Sequence, residues 1–164
     1  MTDTAPSRRN SLERVTAYLA EHGLADRVIT FEGSTRTAQL AADAVGCDLG
    51  QIVKSLVFVD DDGTAVLALV AGDRRGDPGA IAAEAGAGKV RFADAETVRA
   101  STGYAIGGVS PFDLPEELVV LVDDSFARYG EIYTAAGTPS SMVRLTIAQL
   151  KAVSGGRMAR ISQG

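Results

Sequence analysis

A single cation interrupts the apolar run QIVKSLVFV (51–59), and it is Lys54. Side chains alternate along a strand, so Lys54 shares a face with Ile52, Leu56 and Phe58. An ammonium on a covered apolar face is costly unless it is paired, reaches water or loses its proton. Two readings stay open. The lysine snorkels to solvent along its four-carbon stem, or the strand opens into a pocket where it meets an anion or a polarised carbonyl. Further along, TGYAIGGVSP (102–111) places the paired glycines Gly107 and Gly108 on the flank of a strand-like Tyr104-Ala105-Ile106. Glycine accepts positive φ and lets a ligand approach the backbone. Successive free N–H groups can then form a concavity for an anion or oxyanion. Ser110 adds a hydroxyl and Pro111 stiffens the exit, although a plain glycine-rich connection would use the same residues.

Other chemistries find little support. The chain has one histidine, His22, and one cysteine, Cys47, so no His/Cys zinc or iron–sulfur site is expected. A Ser-His-Asp triad would need His22, which sits just before Gly23 at the end of the first predicted helix, and no G-x-S-x-G elbow occurs. AGAGK (85–89) imitates the end of a phosphate-binding loop. Ala83 stands where that loop needs glycine, and Val90 where it needs Ser or Thr. The lone cysteine cannot form an internal disulfide, which fits a reducing cytoplasm.

No apolar run is long enough for a membrane span, and the opening MTDTAPSRRNS lacks the apolar core of a signal peptide. The net charge of −5 argues against a long basic groove for nucleic acid but not against local contact. From Arg144 onward Arg144, Lys151, Arg157 and Arg160 stand without any acid, either as a solvated tail or as such a contact.

The elements that must position Lys54 and the glycines follow from periodicity and capping. Helices are expected over 11–21, 35–46, 77–86, 94–102 and 147–155, and strands over 27–32, 51–59, 64–72, 89–93, 117–124, 131–137 and 142–146. Asp60-Asp-Asp-Gly63 reads as a hairpin turn, Asp77-Pro78 as a helix start, and Thr146 with Gln149 as a capping box. The two strands flanking the hairpin are apolar on both faces and should be central. With 164 residues and no linker, the expectation is a short disordered tail (1–10) and one α+β domain (11–164) on a mixed, curved, barrel-like sheet surrounded by helices.

Taken together, TRTAQLAADAVG…QIVKSLVF, then STGYAIGGVSP, then EIYTAAG before a short strand and a helix resemble the YbaK/EbsC family over about Phe31 to Leu150. These are aminoacyl-tRNA deacylase domains, similar to the editing insertion domain of prolyl-tRNA synthetase. The resemblance implies hydrolysis of the ester between a wrong amino acid and the tRNA 3′ end. Lys54 then matches the family's key lysine, and Gly107 to Pro111 its G-x-x-x-P loop.

On that footing Lys54, Gly107 and Gly108 are the catalytic candidates. Phe31, Arg36, Thr37, Ser55, Val109, Ser110, Pro111, Thr134 and Gly137 are the substrate-binding candidates. No cofactor or metal is implied, nor any membrane. The implied partners are the aminoacyl-tRNA 3′ end and a prolyl-tRNA synthetase or elongation factor that presents it. The implied substrate is tRNA(Pro) carrying Cys, Ala or another small amino acid. A non-catalytic tRNA- or synthetase-binding module that kept the pocket is the alternative. The chain departs from the family at Ala135 and Ala136, where relatives carry serine and glycine, at Met142 in place of an acid, and at Asp113 in place of glycine; Thr134, Thr138 and Ser140 are the candidates to replace lost polar groups.

Overall fold

The computed structural model describes residues 11–32, 37–138 and 140–164. The expected tail and Arg36 lie outside the described residues. The elements run α1 (Ser11–Glu21), β1 (Val28–Thr30), α2 (Ala38–Val45), β2 (Val53–Asp60), β3 (Ala65–Ala71), β4 (Arg75–Gly76), α3 (Pro78–Ala85), β5 (Val90–Phe92) and α4 (Ala95–Thr102). They continue with β6 (Val119–Asp123), β7 (Glu131–Ala135), β8 (Ser141–Thr146), α5 (Ile147–Ser154), β9 (Arg157–Ala159) and β10 (Ser162–Gln163). The expected caps form. Asp77 accepts from Gly79 and Ala80 ahead of Pro78, and Thr146 and Gln149 close a reciprocal box.

A five-stranded mixed sheet in the order β5-β2-β3-β6-β9 forms the centre. β2 and β3 pair antiparallel through the Asp60–Thr64 turn, where Asp60 accepts from the N–H groups of Asp62 and Thr64 and Gly63 has φ 84°. β3 and β6 run parallel, as do β6 and β9. Both faces of β3 are covered, as its composition predicts. One face carries Leu67, Leu69 and Ala71 against α1, α5 and the smaller antiparallel sheet β1-β8-β7. The other carries Val66, Ala68 and Val70 against Ile81 and Ala82 of α3. A third apolar cluster joins Ala41 and Ala42 of α2 to Ile52 and Met142. The fold is the expected α+β class, but the sheets stay open and no barrel closes among the described residues.

Two expectations need correction. Tyr104-Ala105-Ile106 is not strand but loop, because Tyr104 is drawn into the core and its hydroxyl donates to the Phe112 carbonyl at 2.7 Å. The C-terminal residues are not a solvated tail either. β9 completes the large sheet, β10 pairs with β4, Arg157 pairs with Glu84, and Ile161 is buried.

Asp123 ties β3 to β6 from a fully buried position. Its carboxylate accepts from the Ala71 N–H at 3.1 Å and from the Ser125 N–H at 3.0 Å. Removing it strands one buried and one part-buried donor, so Asp123→Ala should lower the unfolding free energy by about 2–3 kcal/mol. Urea unfolding checks this: a lower midpoint with an unchanged slope is expected.

Candidate active site

β2 is paired along only part of its outer edge. β5 meets it at Phe58, Val59 and Asp60, and the Ala93 N–H still reaches the Val57 carbonyl at 3.0 Å. At the other end Ile52 bridges Tyr133 of β7. Since the Val57 carbonyl faces β5, antiparallel alternation turns the N–H and C=O of Ser55 to the same open side. Neither has a backbone partner among the described residues.

The loop from Ala105 to Ser110 faces that edge. Its base is fastened by the Tyr104–Phe112 bond and by Arg14, which donates to the carbonyls of Thr102, Gly103 and Asp113 and pairs with the Asp113 carboxylate at 2.8 Å. Burial pushes the Tyr104 phenol up to about 12, so it remains a donor. Asp113 has φ 56°, a left-handed conformation that glycine adopts more readily. This departure secures the loop's base and does not reach the site. The Ser110 hydroxyl donates to the Ala135 carbonyl at 2.8 Å, joining the loop to β7. Gly107 has φ 84°, and a Cβ there would meet nothing within 4 Å. The Gly108 N–H closes a turn on the Ala105 carbonyl at 2.9 Å, while those of Gly107, Val109 and Ser110 have no partner among the described residues.

Between edge and loop lies a cavity of about 140 Å³. Lys54, Ser55, Gly107 and Val109 form one side of it, and Thr37, Ala38 and Ala41 of the α2 start form another. Its far end is apolar, with Ile52, Ala135 and Met142. Ala135 and Met142 are register partners across β7 and β8, so two departures from the family pattern form adjacent parts of one wall. A larger hollow of about 500 Å³ lies at the hairpin end beside Gly63, Glu96 and Glu117, with two acids and no cation in its lining.

Lys54 is half-buried, and its ammonium donates to the Arg74 carbonyl at 2.5 Å. Burial lowers its pKa, while the charges of Asp73 and Asp123 pull it back up. Asp73 is itself held by two bonds from Arg128, at 2.8 and 2.9 Å, which keep its carboxyl below its ordinary value. Gly50 makes room for that pair, since a Cβ there would lie 2.9 Å from both the Arg128 guanidinium and the Asp73 carboxylate. Lys54 thus lines the cavity while the Arg74 carbonyl accepts from its ammonium.

The structure thus brings together Thr37, Lys54, Ser55, Gly107 and Val109 of the expected residues. Phe31 packs behind the wall with Ile52 and Met142. Gly108, Ser110 and Pro111 shape the loop without lining the cavity. Thr134 points the other way. β7 alternates, so Ile132 and Thr134 enter the core, where the Thr134 hydroxyl finds no partner among the described residues. Gly137, at φ 99°, serves packing: a Cβ there would come within 2.8 Å of the Ser11 backbone. The Thr138 hydroxyl is engaged by Ser141, and neither Thr138 nor Ser140 lines the cavity. Asp73, Asp123 and Arg128 went unnoticed in the sequence. The hairpin register was the available signal, because pairing Lys54 with Val70 puts Asp73 just past the same end of the sheet.

The profile of the aminoacyl-tRNA editing domain matches residues 32–153. The chain belongs to that family. Membership bears out the expected class, an aminoacyl-tRNA deacylase of the YbaK/EbsC type. The chain is 31% identical over 140 residues to the multifunctional Ser/Thr-tRNA deacylase ProXp-y of Escherichia coli (strain K12), covering 83% of each chain. It is 26% identical to EbsC of Enterococcus faecalis, a candidate Cys-tRNA(Pro)/Cys-tRNA(Cys) deacylase, over 77% of each. A crystal structure of a candidate trans-editing enzyme for prolyl-tRNA synthetase superposes with TM-score 0.83 at 40% identity, covering 99% of this chain and 100% of the other. Among the described residues no helix is long and apolar enough to cross a membrane, and no cluster of metal-ligating side chains occurs.

The lowered Lys54 pKa has a stability consequence. Well below the depressed folded value both states carry the proton, and the desolvation cost is fully present. As pH rises through that value toward 10.5, the folded state releases its proton first and the cost is relieved. Lys54→Met should therefore be at least as stable as the parent at pH 7, with its relative advantage shrinking as pH approaches 10.5. Paired thermal melts across that range test the sign.

Proposed function

We propose that the cavity beside Lys54 binds the aminoacylated 3′ end of a tRNA and hydrolyses the ester to a small, mainly apolar amino acid, with tRNA(Pro) as the preferred carrier. The observation that carries this reading is the cavity itself. An open strand edge, a cation and a loop with unpartnered N–H groups converge on a cavity of about 140 Å³ whose lining includes Ala38, Ala41, Ile52, Ala135 and Met142. An aminoacyl ester is already activated, so positioning and charge stabilisation suffice for the enzyme's share. Lys54 holds a phosphate or carbonyl oxygen at the terminal adenosine. The N–H groups of Gly107 and Val109 face the ester oxygen that gains charge, whereas that of Gly108 is committed to its turn. A water, or a hydroxyl or thiol of the substrate, is the nucleophile.

The apolar acyl end follows from Ala38, Ala41, Ala135 and Met142. The Thr37 hydroxyl accepts the Leu40 N–H in capping α2, which leaves its own proton as the main polar offer from that side. The apolar lining favours alanine over serine. Net charge of −5 suits an enzyme that receives its tRNA from a synthetase or elongation factor in the cytoplasm rather than gripping it alone.

The test is deacylation of Ala-, Cys-, Ser- and Pro-tRNA(Pro). The parent should clear Ala-tRNA(Pro) fastest. Lys54→Ala should lose about 100-fold or more in kcat/KM with its fold intact, and Gly107→Ala should lose rate through strain at positive φ, with no clash inside the protein itself. Unchanged activity of Lys54→Ala would remove the site. Inactivity of the parent on the whole panel, with tRNA still bound, would favour the binding module.

A further inference from the structure

The cavity continues along the β2 edge into a second compartment of about 240 Å³, and the two share Ser55, Gly107 and Val109. This compartment fills the gap where β5 leaves the edge, and its walls are apolar, with Val57, Val98, Phe92 and Ile106. Phe92 and Ile106 are 66% and 57% exposed, and they are two of the three large apolar side chains that the described residues leave open to solvent. One face of the Phe92 ring stacks on Phe58, with centroids 4.5 Å apart, and among the described residues no second ring or cation meets it. A lone exposed phenylalanine would call for no explanation. Here the ring, an exposed isoleucine and the unpaired polar groups of Ser55 border one space that opens directly from the Lys54 cavity.

We propose that this compartment seats the unpaired 3′-terminal base of the tRNA, stacked on the free face of Phe92. The inference rests on the reading that the Lys54 cavity holds the aminoacyl ester. The base is joined through one ribose to that ester, so it must lie in a space adjoining the cavity. Gly107 stands at the passage between the two and leaves room for the sugar, having no Cβ. A base is apolar on its faces and polar at its edges. The compartment matches this, with apolar walls and the N–H and C=O of Ser55 on its strand edge. Stacking on an aromatic ring tolerates any base and contributes enough to alter affinity severalfold to a hundredfold.

The experiment compares binding of two uncharged tRNA(Pro) transcripts, one intact and one lacking the terminal adenosine, to the parent, Phe92→Ala and Phe92→Tyr. The parent should prefer the intact RNA by about tenfold. Phe92→Ala, with an unchanged melting temperature, should bind both RNAs alike by losing affinity for the intact one alone, and Phe92→Tyr should restore the preference. A parent that does not distinguish the two RNAs overturns the proposal, as does Phe92→Ala that keeps the preference or weakens both equally. Conversion of a dimer to monomer by Phe92→Ala, with the RNA preference intact, would assign the patch to a second copy and overturn it too. A Phe92-dependent preference in a protein that clears no mischarged tRNA would support the seat and sink the hydrolase reading. Lys54-dependent deacylation without that preference would do the reverse.

Discussion

The site depends on a few residues of strand edge that the chain leaves unpaired. β5 is short because Asp94 caps α4 at once, accepting the Thr97 N–H at 2.8 Å, and the chain leaves β2 after Ala93. At the other end β2 enters from the 3₁₀ turn Leu49–Gln51 and meets Tyr133. The gap from Ile52 to Val57 is thus a consequence of two local structures, a helix cap and a tight turn. An open edge invites pairing with other chains, and proteins commonly blunt one with lysine or a covering loop. Both devices occur here. Lys54 and the Ala105–Ser110 loop protect the edge, and the same two features furnish the charge and the N–H groups of the proposed chemistry.

Rigidity comes from how the loop is fastened. Arg14, Tyr104 and Ser110 tie its base and side to α1, to its own end and to β7. The glycines can therefore hold unpartnered N–H groups without collapsing onto the sheet. Lys54 is set in a similar way by the Arg74 carbonyl and by the nearby Asp73–Arg128 pair. Groups held in place before substrate arrives need no reorganisation when charge develops, and such preorganisation is the main contribution available to a site without a triad.

Much of this was legible in the sequence, for reasons that can be named. Helix caps and the hairpin turn depend on local residue chemistry, so Asp77-Pro78, Thr146 with Gln149 and Asp60–Gly63 were readable. The two-sided apolar character of β3 required a central position, and it has one. Lys54 was visible because charge in an apolar strand is anomalous. The misread parts depend on long-range contact. Tyr104 looks β-forming, but a buried hydroxyl bond across its own loop decides its conformation. Thr134 looked available because its direction depends on the register of β7. β9 and β10 are short and polar and form only because β6 and β4 offer edges. Asp113 reads as a loss of glycine until its φ of 56° and its pairing with Arg14 are known.

The central claim, that one trough along the β2 edge holds the aminoacylated 3′ end, is tested most directly by a crystal structure with a non-hydrolysable analogue, 3′-deoxy-3′-(alanylamino)adenosine. The account predicts the alanyl methyl against Ala135 and Met142, the acyl oxygen within hydrogen-bond reach of the Gly107 or Val109 N–H, and the adenine beside Phe92. An analogue bound in the hollow between Gly63 and Glu117, or with its acyl group turned away from Lys54, would contradict it.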